Sequence, residues 1–262
     1  MYSCRSAILA ISFLTFAGAA NAAPPARCAA VAPTDSSDQQ ALRSVVTPST
    51  EPTTASTLPH QHQNDRYALD EMLRGTHATP LRWDRVPELV VLMPVMQYEK
   101  GRGTEYRATS QQLTDEEATE LVSDLTKALS LLTDGAFRGF SAVRRETVSV
   151  GETVNVMRPG QIVVARYNGV WDQLATIGFG GRSTRGATIR AGSIILDNDF
   201  DRKNETRRRL RTHELGHALG YNHVVSRTSI MNPKIGSELT EFDRAAARVA
   251  FESFQPAAGS CS

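Results

Sequence analysis

The chain has 262 residues, 40% of them hydrophobic and 22% charged, which is ordinary globular composition and enough for one domain of catalytic size plus flanking segments. Its 29 basic and 28 acidic side chains give a formal charge of +1. A balance this close to neutral excludes bulk attraction to nucleic acid or to a membrane surface, so no nucleic-acid partner is expected.

Residues 1–22 read as a secretory signal. Arg5 supplies the positive start, "AILAISFLTFAGAA" the apolar stretch, and Ala20, Asn21 and Ala22 a small-x-small cleavage site. The apolar run is well short of the ~20 residues a spanning helix needs. No later segment is apolar enough either, so stable membrane insertion is not expected and the expected location is secreted or periplasmic. Removing the signal takes Arg5 and Cys4 with it, leaving 28 basic against 28 acidic side chains and two cysteines, Cys28 and Cys261. In a compartment where disulfides persist, these two residues near the chain ends are candidates for an end-to-end bridge.

From 23 to 65 the composition turns to Pro, Ser, Thr, Ala and Gln, with almost no aromatic or β-branched clusters to bury. The expectation is a linker or pro-segment without a core of its own, in which His60 and His62 are solvated. An ordered domain then runs from 66 to 262. "ELVVLMPVMQYE" (88–99) suits a strand buried on both faces, with Pro94 as a break or an edge mark. "TDEEATELVSDLTKALSLLTDG" opens with Thr114 and Glu117 in capping-box register, repeats apolar residues at helical spacing and stops at Gly135. Three strand-like stretches follow, around 139–149, 161–168 and 186–197, with "RPG", "GFGGRSTRG" and "AGS" read as turns.

"NETRRRLRTHELGHALG" (204–220) predicts a second long helix with Asn204 as its cap. Leu215, Ala218 and Leu219 fall opposite His213 and His217 on the wheel. Arg208 and Arg211 fall on the apolar side, which implies that the first turns overhang the core or that the helix starts later. The basic run reads as a solvated helix end. "LTEFDRAAARVAFESF" gives a last helix capped by Thr240 with Asp243 in its first turn. This order of elements is that of an α/β or α+β layered domain with a mixed sheet.

Three of the six histidines lie in "HELGHALGYNH" (213–223). His213 and His217 are one helical turn apart and only about 40° round the axis, so both imidazoles can reach one ion. On a continued helix His223 would sit ~9 Å further along and out of reach, so the helix must end first. Gly220 is placed to end it, because glycine takes the left-handed conformation at little cost. Three neutral histidines leave a coordination position open, the pattern of a catalytic zinc site. Glu214, about 100° off the ligand face, suits a general base for a zinc-activated water rather than a ligand.

With His213, Glu214, His217, Gly220 and His223 in place, and Met231 in "SIMNP" eight residues after the third histidine, the sequence resembles the metzincin clan of zinc endopeptidases. "SIMNP", the closing "LTEFDRAAARVAFE" and the early "RWD" look most like matrixins and their bacterial relatives. The resemblance implies a mixed, mostly parallel twisted sheet with two long helices, an active-site cleft and a C-terminal helix. It implies one catalytic Zn2+, Met231 beneath the metal, and hydrolysis of a peptide or protein substrate. It also implies that the strand before the active-site helix, "GSIILDND", is the substrate-pairing edge, placing Ser193, Ile194, Ile195 and Leu196 along the peptide.

The sequence departs from the clan in places. Pro233 stands where astacin- and serralysin-like members carry a metal-binding tyrosine, and Val224 matches no subfamily pattern after the third ligand. Asp197, Asp199 and Asp201 are candidate Ca2+ ligands, with solvated turn residues as the plainer reading. Cys28 could serve as a matrixin-like cysteine switch instead of bridging Cys261. A hydrolase of cell-wall peptide amides, or a zinc-dependent extracellular binding protein without turnover, would share the same ligand set. Cleavage specificity and oligomeric state are not legible in the sequence.

Overall fold

Fifteen elements follow one another in the computed structural model, which describes residues 58–234, 237–252 and 254, with side-chain surroundings from 65 onward. The expected signal segment 1–22, Cys28 and Cys261 lie outside the described residues. The elements are α1 (Leu58–Leu73), β1 (Arg82–Trp83), β2 (Glu88–Leu92), β3 (Pro94–Gln97), β4 (Glu105–Gln112), α2 (Asp115–Leu132), β5 (Val143–Glu146), β6 (Thr153–Asn155) and β7 (Gln161–Asn168). They continue with α3 (Val170–Leu174), β8 (Gly178–Arg185), β9 (Thr188–Asp197), α4 (Asn198–Lys203), α5 (Arg207–Leu219) and α6 (Glu241–Phe251). Among the described residues no helix is long and apolar enough to cross a membrane.

The protein is a mixed α/β domain built on one sheet. β7 lies at its centre and pairs in parallel with β9 on one side and with β2 and β3 on the other. Antiparallel pairs flank this parallel core: β8 on β9, and β4 on β3 followed by β6. The continuous apolar run at 88–97 has a direct cause. Leu89 and Val91 point into the helix-covered core with Ile162, Val164, Ile194 and Leu196, whereas Val90 and Leu92 point into a second core with Val163, Ala165 and Ile195. Both faces of the central strands are therefore buried, as a parallel sheet requires. The run breaks at Met93, and the pairing of β3 with β4 shifts register between Pro94 and Met96.

Both expected capping boxes are present. Thr114 accepts from the Glu117 N–H while the Glu117 side chain accepts from the Thr114 N–H, and Thr240 and Asp243 do the same for α6. α2 ends at Leu132, just before the positive-φ Gly135.

Three expectations need correction. α1 begins at Leu58, inside the segment assigned to a coreless linker through 65. Its opening "LPHQHQND" is polar in sequence, and its later turns bury Ala68, Met72 and Leu73, so local composition hides the helix. "GFGGRSTRG" is strand β8 and its connection to β9, not a turn. Asn204 does not cap the second long helix: it closes the short helix α4 before it, and α5 starts at Arg207 after Thr206.

The basic run around α5 is also not a simple solvated end. Arg211 is fully buried and Arg166, on β7, is 2% exposed. Arg211 donates to both carboxylate oxygens of Asp201 at 2.7 and 2.8 Å and to Asp124 at 2.8 Å. Arg166 donates to Asp201 at 2.8 Å and to Glu117 at 2.7 Å. An arginine falls on the apolar side of α5 because carboxylates from α2 and α4 meet it inside the core, satisfying the charge that burial would otherwise penalise.

Candidate metal centre

The last two turns of α5 carry His213 and His217, and each ring is turned by a backbone carbonyl. His213 Nδ1 lies 2.7 Å from the Ile230 carbonyl oxygen, and His217 Nδ1 lies 2.9 Å from that of Tyr221. A carbonyl only accepts, so both Nδ1 atoms carry hydrogen and both Nε2 atoms present lone pairs. The helix stops at Gly220, whose φ of 115° is left-handed. A Cβ there would stand 2.6 Å from the Leu81 carbonyl oxygen, so the position excludes side chains on two grounds. The chain then turns back and delivers His223. His217 Nε2 is 3.1 Å from His213 Nε2 and 3.1 Å from His223 Nε2.

This donor set fits a metal ion. Three imidazole nitrogens lie within 4.8 Å of one another, and those of His213 and His217 turn lone pairs to the shared space. Burial, reinforced by His213 nearby, pushes His217 down to about 3, and burial lowers His213 and His223 as well. The rings are thus neutral at neutral pH, the state that binds a cation. Among the described residues these three form the candidate metal group.

Glu214 lies beside them, 3% exposed, with Oε2 lacking any hydrogen-bond partner. Burial pushes its carboxyl up to about 8, opposed by a hydrogen bond from the backbone of Gly180. A cation among the three imidazoles would draw that value down, because a nearby opposite charge favours the ionised form. Glu214, His217 and His223 open onto a cleft of about 550 Å³, whose walls include Trp171, Ile177 and Phe179.

Met231 is fully buried, and its sulfur packs against Gly216 between the two helical ligands, where an added Cβ would overlap it. The turn before it is held from α6. Asp243 accepts from the Ile230 N–H at 3.1 Å, from the Thr240 N–H at 2.7 Å and from the Ser229 hydroxyl. The carbonyl of the same Ile230 orients His213. Trp83 of "RWD" donates from its indole N–H to the Ala218 carbonyl at 3.0 Å, tying β1 to the end of α5. Asp243, Trp83 and Gly180 escape a sequence reading of the site, because each acts through contacts distant in the chain.

The expected edge strand requires correction. Ser193, Ile194, Ile195 and Leu196 lie on β9, which pairs with β7 on one side and β8 on the other, and all four are buried. The strand beside the cleft is β8. It pairs with β9 alone among the described residues, and Gly178 and Phe179 reach the cleft wall. Its glycines follow from how closely it approaches α5: a Cβ on Gly180 would overlap the Glu214 carbonyl oxygen and stand 2.7 Å from His217 Cβ.

The three aspartates considered for calcium are engaged separately. Asp201 holds the two buried arginines, Asp199 pairs with Lys203 at 3.2 Å, and Asp197 caps α4 by accepting from the Phe200 N–H. They do not converge as one ligand group.

A scan against models of protein families gives no match, and a search of curated proteins finds no similar sequence. The functional reading therefore rests on the residues and their geometry.

Proposed function

We propose that the protein is a zinc-dependent endopeptidase of metzincin type, exported by the segment 1–22 and acting outside the cytoplasm. One observation carries the reading: three neutral imidazoles converge on one point beside a buried carboxylate with a free oxygen, at the wall of an open cleft. When bound, zinc would polarise a peptide carbonyl and make a water acidic enough to act near neutral pH.

The remaining work belongs to the chain. β8, which pairs with β9 alone among the described residues, would take an extended peptide along its other edge, which gives affinity without dictating sequence. Glu214 Oε2 takes a proton from the attacking water and delivers it to the nitrogen of the breaking peptide bond. Burial keeps that carboxylate out of bulk water, so its basicity is directed to the cleft. The carbonyls of Ile230 and Tyr221 hold the rings of His213 and His217 in the tautomer that keeps Nε2 free.

Glu214→Gln tests this reading. Zinc content measured on purified protein should stay at that of the wild type, while hydrolysis of a denatured protein substrate falls by at least 100-fold. Equal hydrolysis in both proteins would remove Glu214 from the reaction.

A further inference from the structure

Strand β8 does more than border the cleft. Arg182 extends from it to the turn that joins α5 to His223 and makes three hydrogen bonds there. Its Nη1 donates to the His217 carbonyl at 3.0 Å and to the Tyr221 carbonyl at 3.3 Å, and its Nη2 donates to Asn222 Oδ1 at 2.7 Å. Every acceptor is tied to a candidate ligand. The first is the main chain of His217 itself. The second is the carbonyl that also receives His217 Nδ1–H. The third is the residue immediately before His223.

We propose that Arg182 is a positioning residue for the metal centre, setting the orientation of His217 and the placement of His223 from the edge strand. The inference rests on the metal reading above and names how that site is held. A chain leaving a helix exposes carbonyls without intrahelical partners. Here the turn must also reverse direction within three residues to bring His223 back. A planar guanidinium with several donors can bridge carbonyls that diverge around such a turn, whereas an ammonium is a single point of attachment. Arg182 is partly buried, and burial lowers the pKa of its guanidinium, yet an arginine stays charged throughout the working range.

Asn222 is anchored from the far side as well. Its N–H and side-chain amide both donate to the Met72 carbonyl at the end of α1, at 2.8 and 3.2 Å. Glu71 accepts from the Val225 N–H and the Ser226 hydroxyl. The loop bearing His223 is therefore fixed between α1 and β8, with Arg182 as the arm that also touches the ligand helix. Under the proposed function β8 pairs with the substrate, so the same strand addresses both peptide and metal.

The test compares Arg182→Met, Arg182→Lys and Asn222→Ala with wild type. Zinc affinity is measured by chelator competition, the ligand field by the absorption of the cobalt-loaded proteins, and thermal unfolding on the metal-free proteins. Arg182→Met should bind zinc 10- to 100-fold more weakly and show an altered cobalt spectrum, with Arg182→Lys intermediate. Wild-type affinity and spectrum in Arg182→Met, accompanied only by a lower melting temperature, would reduce Arg182 to a structural role and overturn the proposal. If Arg182→Met does not fold, the other two variants decide: wild-type affinity and spectrum in both overturn it. A wild-type protein that binds no zinc would instead sink the metal reading.

Discussion

Two clusters of buried polar side chains lie along one short helix, and they are finished differently. At the start of α5, Arg211 meets Asp201 and Asp124, while Arg166 meets Asp201 and Glu117. Each of these side chains meets at least one opposite charge within the protein. Two residues later, His213 and Glu214 begin a cluster of another kind: three imidazole Nε2 atoms face one another, and Glu214 Oε2 has no partner among the described residues. Burying polar groups without partners costs stability. The contrast therefore separates a network that holds the fold from a site shaped for something the chain does not itself contain.

The largest effect should come from opening the closed network. Asp201→Ala leaves Arg166 without one partner and Arg211 with Asp124 as its chief remaining partner, and breaking such a buried set costs about 3–5 kcal/mol. The melting temperature should then fall on the order of 10 °C. A change within a degree or two would show that the network contributes nothing net. Gly220→Val attacks the other cluster without touching a ligand. A β-branched residue at φ 115°, pressed against the Leu81 carbonyl, should displace His223 and weaken zinc binding at least 10-fold. Unchanged affinity would mean that the turn at Gly220 is not what places the third ligand.

The smallest effect is in pH. In the folded, metal-free protein His217 is held at about 3 against an ordinary 6.5, so the unfolded chain binds this proton first. The His217 contribution to stability is accordingly lost as pH falls from about 6.5 towards 3, while Glu214, raised to about 8, works in the opposite sense. Thermal unfolding of chelator-treated protein between pH 7 and pH 4 measures the slope, which should be shallower in His217→Gln. Identical slopes would contradict the burial of a neutral imidazole.

The two clusters also differ in how far they could be read from sequence. His213, Glu214, His217, Gly220 and His223 are legible because one helical turn and one glycine determine their relation within eleven residues. The capping boxes of α2 and α6 are legible for the same reason, since their bonds span three residues. Arg211 is not, because its partners lie 10 and 87 positions away. Without them an arginine on the apolar face reads as an overhanging helix.

Strand β8 is the clearest failure. Local propensity reads "GFGG" as a turn, yet a Cβ on Gly180 would overlap the backbone of α5 and one on Gly178 would crowd the Ile195 carbonyl of β9. The constraint comes from tertiary packing, and a sequence reading that misses it places the sheet edge one strand too far in, on Ser193 to Leu196. α1 escapes a compositional reading because its opening turns are polar.

The central claim is that the open cluster holds one metal ion. Zinc titrated into chelator-treated wild type, His217→Ala and Asp201→Ala, with bound metal quantified at each step, tests it most directly. The account predicts one tight equivalent in the wild type, no tight equivalent in His217→Ala, and one in whatever Asp201→Ala protein remains folded. Equal zinc binding by wild type and His217→Ala would contradict it.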